Sequence, residues 1–268
     1  MIGVDSPTPL DLQFRLGPIP VRVGLMFWLI MGLFGYGWAS LLARQGLGNT
    51  WVNLLVWMGC GFVSILVHEL GHAVAFRLFG SWSAISLHGF GGVATSDDPP
   101  RSAGRRMVVA LAGPAAGFAL CGVVYGITLA LGGVAVNEYV AVALTFLLWM
   151  GLFWNAFNLL PIPPLDGGNV CRELLALLRV PNPDAIAHGL GFVLALLLAV
   201  WGAVCVANLL PADVRKAIPN WAEPGLYMTI WFALFAVNNF QMMQLARRQR
   251  QYQPPDEYDD DTPPWRRR

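Results

Sequence analysis

The chain has 268 residues, 56% of them hydrophobic and only 12% charged, with a formal net charge of +1. Soluble globular proteins carry about 25% charged residues, so this composition excludes a water-exposed fold and points to a membrane-embedded body. The near-neutral balance offers no bulk attraction to nucleic acid, and the length allows one or two domains.

In chain order, the first twenty or so residues are polar or interrupted by proline and do not read as a cleaved signal peptide. Six apolar stretches follow, at roughly 23–43, 51–78, 106–132, 138–160, 185–210 and 225–245. Each has the length of about 20 residues that a helix needs to cross the hydrocarbon core. Between the second and third, residues 79–105 contain Ile85-Ser86-Leu87-His88-Gly89-Phe90-Gly91-Gly92-Val93-Ala94. This segment is short, partly alternating and glycine-rich, which predicts a β-hairpin or re-entrant loop. Residues 161–182 begin with a proline-rich turn, and 247–268 mix Arg, Gln, Pro and Asp in a pattern that predicts a disordered tail. The predicted fold is therefore an all-α polytopic membrane protein of about six transmembrane helices with a short re-entrant β element between helices two and three. It forms one domain over 1–246, with its core at 51–182. With the N-terminus inside, fourteen of the seventeen Lys and Arg residues fall on the inner side. That bias predicts a multi-pass topology with both termini cytoplasmic. Cys60, Cys121, Cys171 and Cys205 form no CxxC pair and read as small buried hydrophobes.

The chemistry concentrates in His68-Glu69-Leu70-Gly71-His72, at the inner end of the second stretch. Histidines four apart on a helix share one face about one turn apart and can bind the same Zn²⁺, and Glu69 beside them can take a proton from water. Two histidines and a carboxylate at membrane depth are costly unless paired or functional, which argues against a chance match. A protease zinc needs a third ligand. Helices two and four both run outward to inward, so Asp166, in the Pro161–Gly168 turn, falls on the same leaflet as the histidines. Asn155 and Asn158 lie about one turn apart on helix four. Spacing leaves open whether either bonds a neighbouring helix or a substrate carbonyl. His88 and His188 read as interfacial or structural, and Asn238 and Asn239 as helix–helix hydrogen-bonding residues.

His68–His72, the Asn158–Gly168 segment and the intervening Gly113-Pro114-Ala115-Ala116-Gly117 together resemble the site-2 protease family of intramembrane zinc metalloproteases over roughly residues 60–170. The resemblance implies one Zn²⁺ per chain held by His68, His72 and Asp166, Glu69 as general base, and Asn158 steadying the tetrahedral intermediate. It also implies that Gly89, Gly91 and Gly92 lie in a β element that pairs with an extended substrate. The expected substrates are single-span membrane proteins, cleaved in or near their transmembrane helices in regulated intramembrane proteolysis. No stretch is long enough for the PDZ or cystathionine-β-synthase-type modules of some members. A compact chain favours a prokaryotic plasma membrane, with the active site toward the cytoplasm. The competing readings are a catalytically silent scaffold of the same fold and a zinc-handling membrane protein. The intact Glu69 argues against the first, and the presence of only four histidines argues against the second.

Overall fold

The computed structural model describes residues 8–89, 91–132, 137–211, 213 and 225–251. Its contacts divide the chain into two compact units. The first is Met1–Leu160 with Leu165–Leu174, and the second is Pro161–Pro164 with Leu175–Arg268.

The first unit opens with a hairpin the sequence did not reveal. Strand β1 (Leu12–Leu16) pairs antiparallel with β2 (Ile19–Val23) across a turn at Gly17, whose φ is +58°. Strand β2 runs parallel to β3 (Ala84–His88), which pairs antiparallel with β4 (Gly91–Thr95), giving the order β1-β2-β3-β4. A hairpin thus forms over the glycine-rich segment, as half of a larger sheet. Alternate side chains Ile19, Val21, Val23, Ile85 and Leu87 turn to one face and bury against Phe27, Ile65 and Ala73. Pro18 and Pro20 weaken the strand signal of the first hairpin, which shows only once β3 is beside it.

Four long helices complete this unit: α1 (Leu25–Arg44), α2 (Thr50–Leu78), α3 (Ala103–Ala130) and α4 (Glu138–Asn158). The Asn49 and Asn137 side chains cap α2 and α4 by accepting from the backbone N–H of Trp51 and Tyr139. Helix α2 ends where Gly80 adopts φ +85° and the Ser81 N–H returns to the Phe76 carbonyl at 3.0 Å. At about 1.5 Å per residue its length exceeds the hydrocarbon thickness of about 30 Å. The Pro-rich turn at 161–164 leads into a further helix, α5 (Asp166–Leu177). Its paired glycines and the charged Arg172 and Glu173 leave no apolar run by which it could be read from sequence.

The second unit is built on α6 (Pro183–Val206) and α7 (Leu226–Gln251), packed against each other. His188 Nδ1 lies 2.8 Å from Asn239 Oδ1, and Asn239 Nδ2 donates to the Pro163 carbonyl at 2.6 Å. Asn239 therefore serves as the helix–helix hydrogen-bonding residue its position predicts. Helix α7 runs to Gln251, past the predicted start of the tail at 247; residues 252–268 lie outside the described residues.

Among the described residues, five helices (α1, α2, α3, α4 and α6) are long and apolar enough to cross a membrane. The sixth predicted stretch is a helix, α7, but Asn238, Asn239 and Gln241 interrupt its apolar sequence and it is not one of the five. In each of the five, at most a third of the most apolar window is buried. Leu29, Leu33, Leu55, Leu129 and Leu197 are all more than half exposed, and acyl chains can solvate such faces where water cannot. All four cysteines are free.

Candidate metal centre

Helix α2 places His68 and His72 on one face, with both side chains buried and the ring centroids 4.8 Å apart. The hydrogen bonds around the rings fix which nitrogen carries the proton. His68 Nδ1 lies 2.8 Å from Asn155 Oδ1. The Asn155 amide nitrogen donates to the Gly151 carbonyl, which keeps its oxygen turned to the histidine. His72 Nδ1 lies 2.7 Å from the Val109 carbonyl oxygen. Both Nδ1 atoms face acceptors, so both must donate, and in a neutral imidazole the remaining Nε2 is then a lone pair.

These two lone pairs meet. His68 Nε2 and His72 Nε2 are 3.2 Å apart. Asp166, the first residue of α5, brings Oδ2 to 3.0 Å from His68 Nε2 and Oδ1 to 3.3 Å from His72 Nε2. The buried Asp166 Oδ2 has no hydrogen-bond partner. Among the described residues, His68, His72 and Asp166 form the one group that could hold a metal ion, with ligand atoms within 4.8 Å of one another. Three electron-rich atoms packed this closely repel unless a cation lies among them. Two imidazole nitrogens and a carboxylate oxygen are donors that suit Zn²⁺. The residues present fit the metal.

Glycines make this closeness possible. A Cβ at Gly113 would overlap the His72 imidazole, one at Gly117 the Asn155 amide, and one at Gly71 the Ala112 carbonyl of α3. The Gly-Pro-Ala-Ala-Gly segment is thus the floor on which a histidine and its asparagine rest. A Cβ at Gly167 would overlap the Leu159 and Leu160 carbonyls, so α5 can begin hard against the end of α4 only with glycine there.

Glu69 is buried beside the ligand group, with its carboxyl against β4. A Cβ at Gly92 would lie within 2.8 Å of the Glu69 carboxyl carbon, and the Ala94 backbone hydrogen-bonds the carboxyl. At Gly91, where φ is +118°, a Cβ would press on the Trp154 ring. Strand β4 is an edge strand of the sheet. Gly89 and His88 instead line a cleft of about 530 Å³ with Asp11, Arg22 and Met26, apart from the metal group. Asn158 is half-buried, and its amide donates to the Trp154 carbonyl of its own helix at 2.9 Å. The asparagine joined to a histidine is Asn155, at His68.

The sequence named His68, His72 and Asp166, which the structure brings together, and Glu69, which it places beside them. Asn155 makes the first of the two bonds its position left open, a helix–helix hydrogen bond to His68, whereas the Val109 contact and the seats provided by Gly113 and Gly117 were not foreseen. Gly113 and Gly117 stand four apart on α3, a small-xxx-small pattern that marks close helix approach and was the available signal.

Fold and site together define an apolar multi-helix protein with a metal-binding group built into its helix packing. The chain belongs to Peptidase family M50, whose model matches residues 59–201. Rip3 of Mycobacterium tuberculosis is 31% identical over 220 residues, covering 77% of this chain and 55% of Rip3. Zinc metalloprotease MJ0392 of Methanocaldococcus jannaschii is 28% identical over 201 residues, covering 74% of this chain and 55% of that protein. The fold matches the solved site-2 protease from Methanocaldococcus jannaschii with a TM-score of 0.52 at 21% identity, over 87% of this chain and 95% of that one. The chain spans about half the length of the curated relatives it matches.

Proposed function

We propose that this protein is an intramembrane zinc endopeptidase that hydrolyses peptide bonds in or near the transmembrane helices of single-span membrane proteins. The observation that carries this reading is the convergence of two Nε2 lone pairs and a partnerless carboxylate oxygen beside a buried glutamate, on a helix long and apolar enough to span. His68, His72 and Asp166 would hold the ion. When bound, zinc supplies a Lewis acid that activates water and polarises the scissile carbonyl. Glu69 accepts a proton from the attacking water and returns it to the leaving amine. Asn155 holds His68 in the tautomer that leaves Nε2 free for the metal. Asn158, one helical turn further on, supports the developing oxyanion after exchanging its bond to Trp154 for one to substrate.

Edge strand β4 lies against Glu69, with Gly92 and Gly91 seating the Glu69 carboxyl and the Trp154 ring and one edge of the strand outside the sheet's pairing. An unwound substrate segment adds there as a further strand, and its amides become available because it is no longer helical. The fourteen-to-three charge bias favours an inner-leaflet active site with both termini cytoplasmic. The substrates are then cut toward the cytoplasmic side of a prokaryotic plasma membrane.

The test is Glu69→Gln, reconstituted with a model single-span substrate. Loss of a general base lowers cleavage by about 10²-fold or more. The zinc content should stay at one per chain. Wild-type cleavage by a zinc-loaded Glu69→Gln protein would overturn the base assignment, and a wild type that holds no zinc would overturn the whole reading.

A further inference from the structure

Helix α5 carries Asp166 at its first residue, the position of a helix most prone to fray, and it touches the other elements only sparsely. Something must fix its rotation if Asp166 is to reach both histidines. Glu173 follows Asp166 by seven residues on the same face of α5 and is almost fully buried, at 2% exposure. Both of its carboxylate oxygens are engaged. Arg106 Nη2 of α3 donates to Oε2 at 2.6 Å, while Arg172 donates to Oε1 through Nη2 at 2.8 Å and Nε at 3.2 Å.

Arg106 does more than neutralise a charge. Its Nη1 donates to the Arg101 carbonyl at 2.6 Å and to the Pro100 carbonyl at 3.3 Å, tying down the chain that leads from β4 into α3. On the same helix, Val109 accepts from His72 and Gly113 seats its ring. One guanidinium therefore joins the helix that orients His72 to the helix that carries Asp166. Burial alone would raise the Glu173 carboxyl, but hydrogen bonds from Arg106 and Arg172 hold it below its ordinary value, so it remains an anion for them to grip.

We propose that the Arg106–Glu173 ion pair is the positioning device of the metal centre, setting the rotation of α5 so that the Asp166 carboxylate meets His68 and His72. This rests on the metal-site reading above. Glu173 is a positioning residue, acting through Asp166.

The test uses the full chain in detergent, loaded with Co²⁺, whose visible absorption reports coordination geometry, together with chelator competition and thermal unfolding. Partners that orient metal ligands typically change metal affinity by about 10- to 100-fold when removed. Glu173→Gln should weaken Co²⁺ retention in that range and alter the spectrum at temperatures where the protein is still folded. The exchanged pair, Arg106→Glu with Glu173→Arg, should recover part of both. A lowered unfolding temperature with unchanged spectrum and affinity would make the pair merely structural and overturn the proposal. If Glu173→Gln does not fold, Arg106→Lys keeps the charge while losing the two-armed grip. It should show a smaller shift of the same kind, and an unshifted spectrum and affinity there also overturn it. Asp166→Ala separates the two ideas. If it loses cobalt while the Glu173 and Arg106 variants keep it, positioning alone fails. If wild type never binds cobalt, the metal reading itself fails.

Discussion

A methyl group at Gly113 has nowhere to go except into the His72 ring. Gly113→Ala should therefore lower zinc retention by about tenfold or more, because it displaces a ligand that its neighbours hold rigidly. Gly122→Ala, on the same helix, is the matched control: a Cβ there meets nothing within 4 Å, and zinc per chain should be unchanged. Asn155→Ala strips the acceptor from His68 Nδ1 and leaves a buried donor unpaired, at a cost of roughly 1–3 kcal/mol. It should weaken zinc binding by about 10- to 100-fold while leaving Glu69 in place, measured by chelator competition. The legible part of this centre was the local part. His68, Glu69 and His72 sit on one turn and a half of one helix, where spacing is geometry. Asn155 and Val109 lie 87 and 37 residues from the histidines they orient, and no local pattern connects them.

At the scale of elements, the long helices announced themselves and the short ones did not. A membrane span of 20 residues or more is legible from hydropathy alone, as α1 to α4 and α6 were. Strands β1 and β2 have five residues each, and their inward side chains become a pattern only when β3 supplies the partner. Helix α5 was hidden because its paired glycines and charged Arg172 and Glu173 leave it no apolar run to read. The first hairpin carries its own test. The Thr8 hydroxyl and backbone N–H bind the Asp11 carboxylate, and Arg22 joins them at 2.6 Å, drawing the Asp11 pKa down to about 2. A carboxyl with its folded pKa depressed contributes stability above the unfolded value of about 3.9, and that contribution is lost as pH falls through the folded one. Amide protection in β1 and β2, taken relative to the intrinsic exchange rate at each pH, should fall between about pH 4 and pH 2, and Asp11→Asn should remove this pH dependence.

For the whole molecule, the outward leucines of the five apolar helices predict that the protein stays in the membrane fraction through alkaline carbonate washing and needs detergent for release. Release by alkali alone would contradict a membrane-spanning arrangement. Metal removal should have a different signature. The histidines are anchored through Nδ1 to Asn155 and Val109, and their positions come from helix packing. A chelated protein should keep its helical circular dichroism, unlike a zinc finger, which unfolds without its metal. Reloading should raise the unfolding midpoint by simple mass action, worth about 2.7 kcal/mol at a hundredfold excess over the dissociation constant. The seat of Gly113 under His72 has one more consequence. With no side chain at Gly113 to rearrange, the His72 ring cannot turn toward α3, and release of the ion on that side must wait for the helices themselves to part. Zinc should leave this centre slowly, at a rate that tracks the breathing of α2 against α3 and is sensitive to the thickness and fluidity of the surrounding bilayer.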